Sequence, residues 1–215
     1  MERKPKRRTR ERIVETALRL FNDFGAPNVT TTVIANELNI SPGNLYYHFR
    51  SKDEITNTIF GQFEREVDAL LAAPGGRAAT VEDLWLFLHL LFEAIWRYRF
   101  LYRDLNDQLS RNRLLEVHFR QILERKVAAA AALCASLAEA GELRANPAET
   151  EALATNMVVV ITYWLSFEYV RNPRNPQEGP ISARGAYQVM ALLAPYLVGE
   201  ARELVERLSR EYLPG

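Results

Sequence analysis

The residues best suited to recognition chemistry in this sequence cluster in the segment SPGNLYYHFRSK, residues 41–52. A buried core helix would carry leucine at these positions, and a solvated surface helix would carry glutamate and lysine. Instead, the segment offers amide, phenol and imidazole groups that exchange hydrogen bonds, and aromatic rings that pack on methyl groups. Lys52 adds a positive charge that can reach a phosphate. The candidate contact residues of the segment are Asn44, Tyr46, Tyr47 and His48.

The elements that must position this segment are predicted to be short helices joined by tight turns. Apolar residues recur three or four apart from Thr9 onward, which predicts a first helix that Gly25 ends. A second helix is expected to begin at an N-cap provided by Thr30 or Thr31. It should stop at Asn39, because asparagine tolerates the left-handed conformation that a sharp helix end requires.

A third short helix should carry the contact residues. Ser41 is its expected N-cap, and Pro42 occupies the first helical position, where a missing N–H costs nothing. Leu45 and Phe49 lie four residues apart and should face the core, so that the polar and aromatic residues point outward. Two short helices joined by a tight turn form a helix-turn-helix, whose second helix enters the major groove of DNA.

A fourth helix should follow directly and connect this region to the rest of the chain. The sequence SKDE predicts a capping box, in which Ser51 is the N-cap and Glu54 reaches back. The helix is expected to span about residues 51–73, before PGGR interrupts it. We therefore divide the chain into a basic arm with a DNA-binding domain, residues 1–52, and a second helical domain, residues 53–215.

The charge of the chain is balanced overall but unevenly placed. Lysine and arginine number 27, as do aspartate and glutamate. Residues 1–12 nevertheless carry seven basic side chains against two acidic ones. A basic arm on a neutral protein suggests an anionic polymer or surface as partner, although a solvated, disordered tail has the same composition. The basic residues are Arg3, Lys4, Lys6, Arg7, Arg8, Arg10 and Arg12.

The remainder of the chain also has helical periodicity, so the predicted fold class is all-α. Residues 84–96 are apolar on every side, as in a buried helix, and a shorter helix is expected around residues 103–111. A long helix should follow over residues 113–140, closed by Gly141. Its alanine run, residues 128–132, would allow close approach of a neighbouring backbone.

Two further helical regions complete the predicted fold. In the sequence NPAE, residues 146–149, Asn146 is the predicted N-cap of another helix. That helix carries NMVVVITYWLSFEYV and lacks a fully polar face. The loop RNPRNPQEGP should end it. The final region, from Ser182 to about Tyr212, is expected to bend near Pro195 or Gly199.

Composition argues against several classes of protein. One cysteine, Cys134, provides neither a disulfide framework nor a cysteine-based metal cage. His48, His89 and His118 are too far apart in sequence to suggest a metal site. No cofactor motif is found. Because no run of about 18 apolar residues and no secretory signal is seen, we expect a cytoplasmic protein without a membrane span.

Three consecutive motifs closely resemble the TetR/AcrR family of bacterial transcriptional regulators. They are RERIVETALRLFNDFG, TTTVIANELNIS and PGNLYYHFRSKDEI, and the resemblance extends from Arg10 to about Leu71. Two positions depart from the family pattern: Asn39 replaces the usual glycine before the turn, and Thr32 replaces a longer polar side chain. The DNA contacts that the resemblance implies fall on Thr31, Thr32, Ser41, Gly43, Asn44, Tyr46, Tyr47, His48 and Lys52.

The resemblance also implies a homodimer, in which the last two helices of each subunit form a four-helix bundle. Residues 149–171 and 182–199 are too apolar for exposed helices, which fits such an interface, and Gly185 and Ala186 would permit close packing. An intrachain core is the alternative explanation.

A small-molecule cavity among the middle helices is the remaining implication. Arg97, Arg99 and Arg103 could meet an anionic headgroup there, although such arginines more often lie on a solvated face or pair with residues such as Glu93 and Asp104. The candidate cavity residues are Trp85, His89, Phe92, Trp96, Phe119, Tyr163, Trp164 and Phe167. An aromatic-rich core without a void is the alternative explanation for each of them.

Taken together, these features predict a ligand-responsive regulator that binds double-stranded DNA and is not an enzyme. It is expected to be a repressor, released from a palindromic operator by a small, largely hydrophobic effector. One alternative is a helical protein-interaction module without a DNA role. Another is an enzyme that uses the cavity, but the sequence contains no G-x-S-x-G elbow, glycine-rich phosphate loop or H-E-x-x-H motif.

Overall fold

The computed structural model describes residues 5–72, 79–173 and 178–212, and these residues form an all-α fold, as predicted. Within those ranges, extended pairing is confined to an isolated antiparallel bridge between Leu143 and Leu197. Short 3-10 turns lie at Ala26–Asn28 and Ala194–Tyr196. The α-helices are α1 (Pro5–Phe24), α2 (Thr31–Glu37), α3 (Pro42–His48), α4 (Lys52–Leu71), α5 (Val81–Arg97), α6 (Arg99–Arg103), α7 (Leu105–Arg111), α8 (Arg113–Glu139), α9 (Pro147–Arg171), α10 (Glu178–Leu193) and α11 (Gly199–Tyr212).

Three helix boundaries differ from the prediction. Helix α1 begins at Pro5, so most of the predicted basic arm is helical, because proline suits a first position and arginine is a good helix former. The helix expected around residues 103–111 is present as α7, and a further short helix that was not predicted, α6, precedes it and meets it at Asp104. Helix α10 begins at Glu178 rather than Ser182, with Pro180 in its first turn. Residues 1–4, all of PGGR and residues 174–177 of the proline-rich loop lie outside the described residues.

The predicted helix ends are largely confirmed. Gly25, Asn39 and Gly141 have φ angles of 84°, 53° and 76°, the left-handed region in which glycine and asparagine are favoured. Asn146 forms a complete capping box with Glu149. At the start of α4 the box is incomplete: Ser51 accepts the Glu54 N–H, but the Glu54 carboxylate accepts the N–H of Arg50 instead of that of Ser51.

The chain divides into two compact units that interleave along the sequence. Met1–Arg65 and Tyr98–His118 form one unit, and Glu66–Arg97 and Phe119–Gly215 form the other. Helices α4 and α8 therefore contribute residues to both. The first unit is larger than the predicted DNA-binding domain, because α6 and α7 pack with α1 and the first part of α4; the functional boundary at residue 52 stays a prediction.

In the first unit, α6 is tied to α1 by a buried polar contact and by aromatic packing. The Phe100 N–H donates to Oδ1 of Asn22 at 3.1 Å, and both residues are buried. The rings of Phe21 and Phe100 lie 5.3 Å apart, and Arg99 pairs with Asp23 at 3.2 Å. A buried amide that satisfies a helix-end N–H fixes one arrangement of the two helices.

In the second unit, α10 packs closely against α5 and α9 at Gly185. A Cβ atom at that position would lie 2.6 Å from the ring of Phe92 and 2.7 Å from that of Trp164. The indole N–H of Trp164 donates to the carbonyl of Ile181 at 2.8 Å, which fixes the ring against α10. Ala186 is also buried. The close packing predicted for Gly185 and Ala186 therefore lies within the chain rather than at a subunit interface.

Helix α9 contains a long apolar window. By length and composition alone it could cross a membrane, and half of its most apolar window is buried inside the chain. The core helix of a soluble protein meets the same criterion, so this feature alone does not indicate a membrane span.

Candidate nucleic-acid interface and ligand cavity

Helix α3 is held by Leu45 and by Phe49, the residue that directly follows it, and most of its other residues are exposed. Leu45 and Phe49 are fully buried, as predicted. The Ser41 hydroxyl accepts the N–H of Asn44 at 3.1 Å, which confirms Ser41 as the N-cap. Just before it, Asn39 makes the turn from α2. The helix is therefore fixed at its start and along its inner face, while its outer face remains open.

The outer face of α3 carries the predicted contact residues together with the start of α2. Tyr46 and Tyr47 are 51% and 62% exposed. The hydroxyl groups of Tyr46 and Thr31 lie 3.0 Å apart, which fixes the Tyr46 ring across the two helices. The Tyr47 ring packs edge-on against His48 at 5.3 Å between centroids. Among the other predicted residues, His48 and Thr31 are half-buried, and the exposed ones are Thr32, Ser41, Gly43 and Asn44.

Lys52 differs from the other predicted contacts because its ammonium group is engaged within the protein. Its Nζ donates to the carbonyl oxygens of Ala26 at 2.6 Å and Val29 at 3.1 Å. Burial lowers the pKa of the Lys52 amine, and the Arg111 charge lowers it further against the opposing effect of Asp53. Lys52 thus anchors the start of α4 to the α1–α2 loop. A phosphate contact from it stays a prediction that competes with this anchoring.

Replacing Lys52 by methionine distinguishes the two roles. We expect the free energy of unfolding to fall by about 1–2 kcal/mol, because two charge-assisted hydrogen bonds are lost. The salt dependence of DNA affinity should not change, and both quantities can be measured by urea denaturation and fluorescence anisotropy. Unchanged stability with a log–log salt slope lower by about one per subunit would instead assign Lys52 to a phosphate.

Two residues near this face were missed by the sequence prediction. Val33 is 42% exposed beside Thr32, where an apolar side chain can meet a thymine methyl group. Helical periodicity predicts the exposure of Val33, because a helix that buries Ile34 and Ala35 places Val33 on its outer face. The guanidinium group of Arg10, which was assigned to the basic arm, lies 4.4 Å from the ring centre of Phe49. No sequence pattern indicated that contact.

A cavity of about 530 Å³ lies among α4, α5, α8 and α9 of the second unit. Its walls are mainly leucine and alanine, and the alanine run of α8 leaves space there instead of bringing a helix close. The described lining residues are Ala69, Leu70, Leu71, Ala79, Asp83, Leu84, Leu86, Phe87, Leu90, Leu91, Lys126, Ala129, Ala130, Ala132, Leu133, Ser136, Met157, Val158 and Ile161.

None of the eight residues predicted for the cavity lines this one. Trp85 and His89 pack on each other at 4.3 Å, and Tyr163 and Phe167 are 46% and 52% exposed. The remaining four are buried side chains: Phe92, Trp96, Phe119 and Trp164. The buried aromatic residues do not line a cavity because large rings fill interior space, whereas small side chains leave it empty. The three arginines considered for a headgroup are paired with carboxylates instead, namely Arg97 with Glu66, Arg99 with Asp23 and Arg103 with Asp104.

Three polar residues interrupt the apolar lining. Asp83 accepts the N–H and the hydroxyl of Thr80 at 3.0 and 3.1 Å, at the start of α5. Ser136 accepts the N–H of Ala79 at 2.9 Å. Lys126 is only 3% exposed, and burial lowers the pKa of its amine to about 7. In the described part of the chain, no group of three or more His, Cys, Asp or Glu side chains could hold a metal ion.

Comparisons with known families agree with this architecture. Residues 13–59 match the model of bacterial regulatory proteins of the tetR family, and residues 62–205 match a model described as a bacterial transcriptional repressor, TetR. An HTH-type transcriptional regulator of Staphylococcus aureus is 35% identical over 69 residues, which are 32% of this chain. The match spans 36% of the length of that relative.

Solved structures extend the similarity over the whole chain. A TetR-family transcriptional regulator from Marinobacter aquaeolei VT8 is 40% identical, with a TM-score of 0.88, and the match covers 96% of this chain and 99% of that one. SmeT, the repressor of the Stenotrophomonas maltophilia multidrug efflux pump SmeDEF, shares the fold at 18% identity and a TM-score of 0.61, over 89% and 92% of the two chains. The chain therefore belongs to the TetR family of bacterial transcriptional regulators.

Proposed function

We propose that this protein is a cytoplasmic, homodimeric repressor, released from a palindromic operator by a small effector that occupies the α5–α8–α9 cavity. The observation that carries this proposal is the outer face of α3. Asn44, Tyr46 and Tyr47 are exposed there, while Leu45 of the helix and Phe49 directly after it are completely buried. A helix fixed in this way can enter a major groove without changing its own packing.

A two-fold dimer is supported by an exposed apolar stripe on α9. Val159, Tyr163, Phe167 and Val170 recur three or four apart and are 50%, 46%, 52% and 84% exposed. An apolar row of this kind is unusual on a monomer surface. A second copy of α9 would cover it in a self-complementary contact. The dimer would present its recognition helices to half-sites about 34–36 Å apart.

Release by an effector is supported by the cavity and by the continuity of α4. Ala69, Leu70 and Leu71 in the last turn of α4 line the cavity, and its first residue, Lys52, follows α3 closely in sequence. Proteins of the same fold bind small molecules, since a SmeT–triclosan complex and a complex with choline have been solved. An effector releases DNA only if it binds the non-binding conformation more tightly, and we propose that α4 is the element that changes position.

The proposal is tested with DNA from directly upstream of the protein's own gene. Fluorescence anisotropy should show tight wild-type binding that weakens steeply with salt, because several phosphate charges are neutralised. Tyr47→Ala should weaken binding about tenfold or more, since each subunit loses a groove contact worth about 1–3 kcal/mol. The dimer should persist in this variant.

Phe24→Ala is the matched control, because Phe24 is 60% exposed but lies at the end of α1. It should leave DNA affinity within about twofold of wild type. A shallow salt dependence would favour the protein-interaction alternative. If neither this DNA nor any sequence from a random selection is bound, the repressor assignment is overturned.

A further inference from the structure

We propose that the α5–α8–α9 cavity selects an acidic amphiphile, whose single carboxylate contacts Lys126 and whose apolar body lies along the leucine and alanine walls. This inference rests on the proposed function, because it names the chemical class of the effector for the same cavity. The observations that carry it are the position of one buried lysine and the composition of the walls around it.

The lining is that of a site for a mainly apolar molecule. Except for Asp83, Lys126 and Ser136, every described lining residue is apolar. The volume of about 530 Å³ lies within the range of small-molecule sites, about 300–1,000 Å³. Alanine residues of α8 and leucine residues of α5 would contact an alkyl chain or a fused ring without offering it hydrogen bonds. A strongly polar effector would therefore lose its hydration without compensation.

Lys126 gives the cavity its selectivity for charge. A lysine side chain that is 3% exposed on an apolar wall has lost most of its hydration. A carboxylate that enters the cavity would replace that hydration with a charge-assisted hydrogen bond in a low-dielectric environment. The ammonium carries three N–H donors, so it can keep a partner within the protein and still donate to a ligand oxygen.

The same lining disfavours cationic and dianionic ligands. A cation would meet Lys126 as a like charge. Asp83, the other charged residue among the described lining, accepts two hydrogen bonds from Thr80 at the start of α5, so its carboxylate already has partners. A dianion such as a phosphate monoester would bring a second negative charge to a wall where Lys126 is the single described cation. A monocarboxylate matches this charge.

Recognition by Lys126 should depend on pH. Burial lowers the pKa of this amine to about 7. Above that pH the lysine is increasingly neutral, so the affinity for a carboxylate should fall about tenfold for each further pH unit. Asp83 from α5 is the other titratable group among the described lining, and α4 and α9 contribute none to it. An uncharged ligand should show no comparable fall.

The test uses isothermal titration calorimetry on the full-length protein with three probes of equal chain length: decanoate, decan-1-ol and decylammonium. Wild type at pH 6.5 should bind decanoate about 10- to 100-fold more tightly than decan-1-ol, and decylammonium least. Lys126→Met should remove this preference and leave decan-1-ol affinity equal or higher. Arg125→Met is the matched control, because Arg125 pairs with Asp68 outside the lining and should keep the preference.

A second variant identifies the cavity as the site. Ala129→Leu adds bulk to the α8 wall and should weaken decanoate and decan-1-ol alike. Equal affinity of the wild type for decanoate and decan-1-ol, no binding of either, or an undiminished preference in Lys126→Met overturns the inference. If decanoate binds through Lys126 but does not release operator DNA, the selectivity stands and the effector mechanism proposed above fails instead.

Discussion

Replacing Phe167 by glutamate is expected to convert the protein from a dimer to a monomer and to lower operator affinity by about 10²- to 10⁴-fold. Phe167 lies near the middle of the exposed stripe on α9 and is 52% exposed in the isolated chain. In a two-fold contact each substitution occurs twice, so two carboxylates would be desolvated close to each other. Binding of two half-sites by separate monomers lacks the gain in effective concentration that a dimer provides.

Sedimentation equilibrium measures the dimer, and fluorescence anisotropy measures the operator affinity. Leu114→Glu is the matched control, because Leu114 is an apolar residue that is 42% exposed on a different helix, at the start of α8. It should stay dimeric and bind DNA normally. A Phe167→Glu protein that remains dimeric would show that α9 does not form the interface. If that dimer had also lost decanoate affinity, Phe167 would be an effector contact, the role predicted from sequence.

Replacing Gly185 by alanine is expected to lower the free energy of unfolding by about 1–3 kcal/mol, although alanine favours helices. The added Cβ would approach the rings of Phe92 and Trp164 to 2.6 and 2.7 Å, well inside van der Waals contact. Trp164 cannot turn away freely, because its N–H is bonded to the carbonyl of Ile181. The backbone of α10 must therefore move away from α5 and α9.

Gly61 provides the control for helix propensity. It lies within α4, and a Cβ there would meet only the end of the Arg65 side chain at 3.7 Å. Gly61→Ala should raise the free energy of unfolding by about 0.5–1 kcal/mol. Urea denaturation at one fixed protein concentration compares the two variants, since the proposed dimer would make stability concentration-dependent. A Gly185→Ala protein as stable as Gly61→Ala would show that the close approach at α10 is readily relieved.

The recognition helix is the part of the molecule that the sequence predicts best. Its determinants are local: Asn39 for the turn, Ser41 and Pro42 for the start, and Leu45 and Phe49 for the buried face. Each of these residues acts on neighbours within a few positions of the chain, so its effect can be predicted from the local sequence. The role of Lys52 was less predictable, because its partners, the carbonyls of residues 26 and 29, are distant in sequence.

The proposed effector cavity is the part for which the sequence prediction and the structure differ most. The residues predicted for it are buried, half-buried or exposed, and none of them lines the cavity described above. A void is a property of how several helices pack together, and periodicity on one helix contains no information about it. The alanine run of α8 is the one sequence feature that coincides with the cavity, and small side chains predict close helix contact as readily as they predict a void.

The alanine wall of α8 has a consequence for how related regulators can diverge. Ala129, Ala130 and Ala132 face the cavity from α8. Alanine, leucine and methionine all have high helix propensity, so each of them is tolerated at these positions of the helix. Exchanges among these residues would reshape the interior while leaving the helix, the recognition surface and the α9 stripe intact. With this cavity as the proposed effector site, single codon changes could alter the effector that is bound, so we expect effector preference to change faster than operator preference during evolution.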